Sequence, residues 1–467
     1  MSFLSPTFMF IFLPIAMGVL CLTPKARRTD ILPVIGILFF VCVNISDPFA
    51  LLYITFVSAT VIAAMAVYKK TLKAFWLRLS ASVFSALGAS ILILRLFYSA
   101  SILGSAGVII YLMSSVSLCL DVARGEINAP QSLWDGITYI TYFPTMLTGP
   151  FITYEEFNER IKNGLALNTK SFSRGAMLFL KGFVKALFIG AVLGDAFRGL
   201  LSISYGNMGG GAAILIAGAQ SLALYAFFSG YSDIARGISC VVGIELESDM
   251  GDPFLNLTPS EYLRRFFKGF SVFFKRYIAF PVISHLGENL ISRIIASLLS
   301  AAMLLFIFCQ NPSTLLLLLP FATVAEYFVL FGRSSKKLAS APRRILSYII
   351  TFIIMGGAWA VLSAASASDI LASLKSISSN NFLYLSFSAK NELINLKYIV
   401  IPLVGCIISS ATSLIMKHDE KMSDRLWFSA LKYAVAFILL LSFAIGVVML
   451  VPQFPRLASD VFGANFI

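Results

Sequence analysis

The side chains best suited to chemistry lie in two neighbouring stretches. The first is Tyr225-Ala-Phe-Phe-Ser-Gly-Tyr-Ser-Asp233-Ile-Ala-Arg236-Gly237, which sets an acid and a base into apolar surroundings. Such charges are costly in lipid unless they pair or face water. A spacing of three places Asp233 and Arg236 on one helical face, where they can pair. Structural pairing and contact with a substrate both stay open. The second stretch opens with Thr258-Pro259-Ser260-Glu261, a capping-box pattern with proline at the first helical position. The helix it predicts over 256–282 mixes Arg264, Arg265, Lys268, Lys275 and Arg276 with Tyr262, Leu263, Phe266, Phe267, Phe270, Phe273 and Phe274. Cations among aromatics suit a helix lying on a membrane surface and binding anionic lipid. One of the arginines turned inward would instead hold a phosphate or carboxylate, as a bidentate donor.

Proton transfer to or from a hydroxyl usually needs a histidine. The chain has only 2 in 467 residues, so their positions matter. His418 lies in the charged Lys417-His-Asp-Glu-Lys421 cluster, a solvated loop by composition, and His285 follows the basic stretch at an expected interface. Asp233 and Glu326 are the carboxylates that could serve as bases if the fold brings them together. The six cysteines (Cys21, Cys42, Cys119, Cys240, Cys309, Cys406) sit in or beside apolar runs and form no CxxC pair. They read as small buried hydrophobes, with no disulfide framework and no metal site.

What must position these groups is set by composition. Hydrophobic residues make up 58% of the chain, charged residues 13%, and mean hydropathy is +0.87. A soluble domain carries about 25% charged residues. A soluble enzyme, a secreted disulfide scaffold and a disordered chain are therefore excluded together. The prediction is one all-α polytopic integral membrane domain over 1–467, with roughly 11–14 helices, some short or re-entrant. Apolar runs fall near 8–22, 31–45, 50–67, 79–98, 104–120, 135–151, 174–198, 210–228, 231–244, 288–310, 312–331, 345–365, 397–415 and 429–451. The net charge of +13 comes from basic residues between these runs, which answers the positive-inside rule rather than nucleic acid. The 24–30, 68–78, 332–344 and 416–425 loops are basic and so expected in the cytoplasm, with the N-terminus outside. The Ser/Asn-rich 366–396 stretch is expected to be external.

Gly230-Tyr231-Ser232-Asp233, Asp252-Pro253-Phe254 and Glu261-Tyr262-Leu263-Arg264-Arg265 together resemble the membrane-bound O-acyltransferase family. The resemblance is to its bacterial branch, which includes alginate O-acetylation and teichoic-acid D-alanylation proteins. Upstream, Asp121-Val-Ala-Arg124-Gly125 and Phe143-Pro144-Thr-Met-Leu-Thr-Gly149-Pro150 match in order and spacing. So do the start, Phe8-Met-Phe-Ile-Phe-Leu-Pro14, and the end, Phe462-Gly-Ala-Asn-Phe-Ile467.

The resemblance implies helices ringing a central tunnel through the inner (cytoplasmic) membrane, with no bound cofactor. An acyl donor, acyl-CoA or an acyl-carrier protein, reaches the tunnel from the cytoplasm. The hydroxyl of a cell-surface polysaccharide or wall polymer enters from outside, with envelope proteins as partners. A deep histidine acts as base on that hydroxyl. Counted through the shared motifs, the position of that histidine is Gln310, beside Cys309 and Asn311, and two further family histidines fall on Phe267 and Thr323. Tyr231, Ser232, Arg264, Arg265 and Cys309 are the implied tunnel-lining residues. Glutamine holds a hydroxyl by hydrogen bond but takes no proton. The chain is thus expected to be a catalytically impaired or divergent acyltransferase, with Gln310, Asn311, Asp233 and Glu326 as its candidate catalytic residues. The alternative is a non-catalytic partner, scaffold or conduit in a polymer-modification or export system. A transporter is less favoured, because no inverted repeat is visible.

Overall fold

The structure is a computed structural model. It describes residues 3–451 except 46–47, 99–105, 129, 131, 147–148, 163–164, 166, 197–199, 201–207, 249, 252–257, 309–311, 333–340, 363–366, 383, 385, 387–394 and 423–425. Among the described residues the chain is helical, with no strand. Four helices are long and apolar enough to cross a membrane: Thr169–Ala196, Gly210–Val242, Lys397–Asp419 and Trp427–Met449. Shorter apolar helices cover Phe8–Leu22, Leu290–Leu305, Leu315–Phe331 and Ile345–Ala360. The chain is a polytopic, all-helical membrane protein.

Two elements differ from the sequence reading, and a helix appears in a stretch for which it named none. The runs at 210–228 and 231–244 form one helix, Gly210–Val242, that passes through Ser229 and Gly230 without a break. The glycine is there for packing and not for a turn. The stretch predicted as one helix over 256–282 is divided. Pro259–Phe266 ends at Phe267, whose φ of −122° and ψ of 54° are not helical. Lys268–Phe273, a wider π-helical turn over Phe274–Ala279 and Phe280–Leu286 follow. The 366–396 stretch includes a helix, Ala367–Ser379, because its Ile370, Leu371, Leu374 and Ile377 recur at helical spacing.

The chain forms two compact units. The first holds the chain up to Phe179 together with Tyr231–Ser248, and the second holds Leu180–Gly230 together with the residues after Ser248. In the first unit, rings of Phe3, Phe8, Phe12, Phe39 and Phe143 stand 5.0–5.8 Å apart in a continuous buried cluster. Close backbone contact is set by glycine. A Cβ on Gly36 would meet the Thr141 carbonyl oxygen at 1.9 Å, so Arg28–Asn44 can lie against the Leu133–Ile140 end only with no side chain there. Leu133–Ile140 starts from a full capping box. The Ser132 hydroxyl accepts from the Trp134 amide at 3.1 Å, and Asp135 accepts from the Ser132 amide at 2.9 Å. Gly175 and Gly237 face each other the same way, each pressed on the other's carbonyl oxygen, at 2.6 and 2.7 Å for an added Cβ.

In the second unit a Cβ on Gly230 would meet the Ala186 nitrogen and the Gly182 oxygen, both at 2.7 Å. Gly190 meets the Phe227 backbone nitrogen at 2.9 Å. Small residues that let backbones approach are how helices associate where lipid gives no hydrophobic gain.

Candidate functional site

In the first unit, Tyr231, Ser232 and Asp233 begin the last part of the Gly210–Val242 helix, and all are buried. The Tyr231 ring packs 6.1 Å from Phe3. The Ser232 hydroxyl is fully buried and has no hydrogen-bond partner among the described residues. Arg236 Nη1 donates to Asp233 Oδ1 at 3.0 Å, and its Nε donates to the Leu246 carbonyl at 3.0 Å. The pairing open to the i, i+3 spacing is therefore made, and it ties the helix to the segment that follows Gly243. Losing one partner of a buried ion pair strands the other. Arg236 keeps partial exposure, so Asp233→Ala is expected to cost about 2 kcal/mol. The check is thermal unfolding of the purified variant in detergent, and an unchanged midpoint would contradict the assignment. In the matching upstream motif, Asp121 is fully buried and Gly125 closes its helix at φ 71°, the left-handed C-terminal position that favours glycine.

In the second unit, Pro259–Phe266 is set by Thr258, whose side chain accepts from the Glu261 amide at 3.3 Å. That fixes a face on which Tyr262 meets two distant residues. Its hydroxyl lies 3.2 Å from Ser221 Oγ, and Trp359 Nε1 donates to it at 3.3 Å. Burial pushes the Tyr262 hydroxyl up to about 12 against the opposing effect of Ser221 and Trp359, which leaves it a neutral hydrogen-bonding group. Phe266 stacks on Tyr262 at 5.7 Å and packs against Trp359, Phe267, Tyr225 and Phe228. Nothing local in sequence links Tyr262 to Trp359. Lys185 also escaped the sequence reading. Its Nζ donates to Ser229 Oγ at 2.7 Å and lies 5.8 Å from the centre of the Tyr225 ring, at the start of a π-helical turn over Lys185–Ala191. The available signal was a lysine inside an apolar run, which marks a paired or functional site.

Arg264 turns inward but not toward a ligand. Its Nη2 donates to the carbonyls of Phe328, Val329 and Gly332 at 3.3, 3.0 and 3.3 Å, capping the C-terminal end of the Pro312–Phe331 helix. Arg265, its neighbour, is exposed. Glu326 is 3% exposed on the buried face of that helix, in line with Leu315 and Val329, and its Oε2 has no hydrogen-bond partner among the described residues. It lies about 21 Å along the axis from Pro312 at 1.5 Å per residue. Asp233 belongs to the first unit and Glu326 to the second. A buried acceptor left unmade costs free energy, and an apolar replacement of similar shape removes that cost. Glu326→Met is therefore expected to raise stability by about 1–2 kcal/mol, read as a higher midpoint of thermal unfolding. A lower midpoint would show that the carboxyl is needed.

Comparison with known proteins shows what the chain is similar to. Over 288 residues the chain is 27% identical to a probable alginate O-acetylase of Pseudomonas fluorescens, covering 60% of this chain and 56% of that protein. A peptidoglycan O-acetyltransferase of Helicobacter pylori is 25% identical over 264 residues, 53% of this chain and 48% of the relative. The chain is a relative of the membrane-bound O-acyltransferases. A teichoic acid D-alanyltransferase of Lacticaseibacillus rhamnosus adds a match of 27% over 187 residues, 38% of this chain and 46% of that protein. No family model matches the chain. The chain spans about half the length of the curated relatives it matches.

For an acyltransferase relative, the positions that matter are those where the resemblance expects histidine. Gln310, Cys309 and Asn311 lie outside the described residues. Phe267 is buried, 4.6 Å from the Phe266 ring and 5.8 Å from that of Trp359, in wholly aromatic surroundings. Thr323 donates to the Leu319 carbonyl at 2.7 Å, one turn back on its own helix. Both actual histidines are exposed, His285 at the end of Phe280–Leu286 and His418 near the end of Leu396–Met422. Among the described residues no three of His, Cys, Asp or Glu converge as metal ligands.

Proposed function

We propose that this chain is a catalytically impaired or divergent relative of the enzymes that O-acylate an extracytoplasmic polysaccharide or wall polymer, with glutamine in place of the base at position 310. The reading places it in the inner membrane with its N-terminus outside. An acyl-CoA or acyl-carrier thioester is the donor from the cytoplasm, and envelope proteins are its partners. One pairing of observations carries it. The relatives are O-acetylases and acyltransferases of envelope polymers, yet no histidine occurs between His285 and His418. The first of these supports acyl transfer, and the second supports a catalytically impaired or divergent member.

A second reading, a non-catalytic partner, scaffold or conduit in the same systems, is favoured by the bonds of two candidate residues. Asp233 is paired with Arg236, and Arg264 is spent on three carbonyls. Acyl transfer by the purified chain, by Gln310→His and by Gln310→Ala separates these readings. Gain of transfer in Gln310→His supports an acyltransferase that lacks its base. Silence of all three proteins supports the scaffold.

A further inference from the structure

The Pro259–Leu286 stretch has a second face that acyl transfer does not use. Tyr262, Leu263, Phe266, Phe267, Phe273, Phe274 and Tyr277 form its buried side. Arg265, Lys268, Val272 and Lys275 are exposed on the other. Arg265 lies in the last turn of Pro259–Phe266, and beyond the break at Phe267 the residues Lys268, Val272 and Lys275 follow at steps of four and three. Arg276 lies half-buried at the edge of this face, with its guanidinium 5.7 Å from the centre of the Tyr277 ring. No aspartate or glutamate occurs between Glu261 and Glu288, so the segment itself supplies only positive charge to this face. The side chains of Arg265 and Lys275 make no hydrogen bond or ion pair among the described residues, and both are exposed.

The depth of this face follows from Arg264. Its bonds to Phe328, Val329 and Gly332 hold the start of this face at the end of the Pro312–Phe331 helix. The chain continues from there into Arg333, Lys336, Lys337, Arg343 and Arg344. So basic a sequence is expected on the cytoplasmic side, and this face begins at that level. Exposed unpaired side chains such as Arg265 and Lys275 do not face hydrocarbon. The exposed apolar groups beside them, Val272 at 45% and Phe280 at 64%, suit a surface that dips below the headgroups.

We infer that Arg265, Lys268 and Lys275 form a binding surface for anionic phospholipid headgroups of the cytoplasmic leaflet. Val272 and Phe280 seat it in the underlying acyl boundary. The surface stands independently of the acyl-transfer reading. Each basic residue near an anionic membrane contributes about fivefold in affinity, so three contribute about a hundredfold.

The test uses the full chain in neutral detergent, offered phosphatidylglycerol or phosphatidylcholine and read by native mass spectrometry of retained lipid. The comparison protein carries Arg265→Gln, Lys268→Gln and Lys275→Gln together. These side chains are exposed, and thermal unfolding of the same samples confirms that the variant is folded. The parent is expected to retain phosphatidylglycerol in preference to phosphatidylcholine, and the preference is expected to fall with added salt. The triple variant is expected to bind phosphatidylglycerol about a hundredfold more weakly, with phosphatidylcholine unchanged. Equal retention of the two lipids by the parent overturns the inference, as does undiminished phosphatidylglycerol binding by the folded triple variant. Either result would leave the face to another anionic partner, such as an acidic protein.

Discussion

Gly230→Val is expected to remove the folded protein from detergent extracts, or to lower its thermal unfolding midpoint more than any other single change described above. A Cβ at Gly230 meets the Ala186 nitrogen and the Gly182 oxygen at 2.7 Å, and the Ala186 Cβ at 2.9 Å. Two of those three atoms are backbone, so no side chain can swing away. Overpacking costs typically about 1–3 kcal/mol and more where the backbone must shift. Valine adds two further carbons to a gap that does not admit one, so a loss above about 3 kcal/mol is expected. The control is Gly357→Ala, where nothing lies within 4 Å of the added Cβ, inside the Ala341–Leu362 helix. It should hold or slightly raise the midpoint, since alanine is the better helix former. Equal midpoints for Gly230→Val and the parent would show that the helices do not pack as described.

That glycine shows how far the sequence could be read. Gly230 was visible as part of a recurring pattern, but its reason was not, because Gly182 and Ala186 lie more than forty residues earlier in the chain. For the same cause the sequence reading split Gly210–Val242 in two. Glycine breaks an exposed helix readily, and only the neighbouring backbone shows that here it permits contact. Local signals fared better. Thr258 caps as its position before Pro259 predicted, and Asp233 pairs with Arg236 as a spacing of three allows. Arg264 was legible as an arginine turned inward, but the carbonyls it caps lie 64–68 residues away. The choice between ligand and helix end could not be made from sequence. The Tyr262–Trp359 bond spans 97 residues and had no sequence signal at all. Lys185 had one, a cation inside an apolar run, and it was passed over.

Gln310→His is expected to have the largest effect on activity. Glutamine can orient a hydroxyl but cannot take its proton, and a hydroxyl is a poor nucleophile at neutral pH. A positioned general base contributes about 10²–10⁴-fold. Phe267 and Thr323 stand at the other two positions where the resemblance expects histidine, and neither can hold the new imidazole by a charge or a second proton shuttle. The gain is therefore expected near the lower end, about 10²-fold over the parent's background. The sign with pH follows from the base itself. An imidazole accepts a proton only when neutral, so the gained activity should rise as pH increases through about 6.5 and vanish below it. A gain with no dependence on pH in that window would mean that the new side chain acts by packing and not by proton transfer.

The central claim is that an O-acyltransferase relative has lost its base at position 310 and with it the ability to transfer an acyl group. Its most direct measurement is acyl transfer from a thioester donor to a polysaccharide hydroxyl, made on the purified parent, Gln310→His and Gln310→Ala side by side. The account predicts no transfer above the blank from the parent or from Gln310→Ala, and measurable transfer from Gln310→His. Transfer by the parent that disappears in Gln310→Ala would contradict it, because glutamine would then be the residue that carries the reaction.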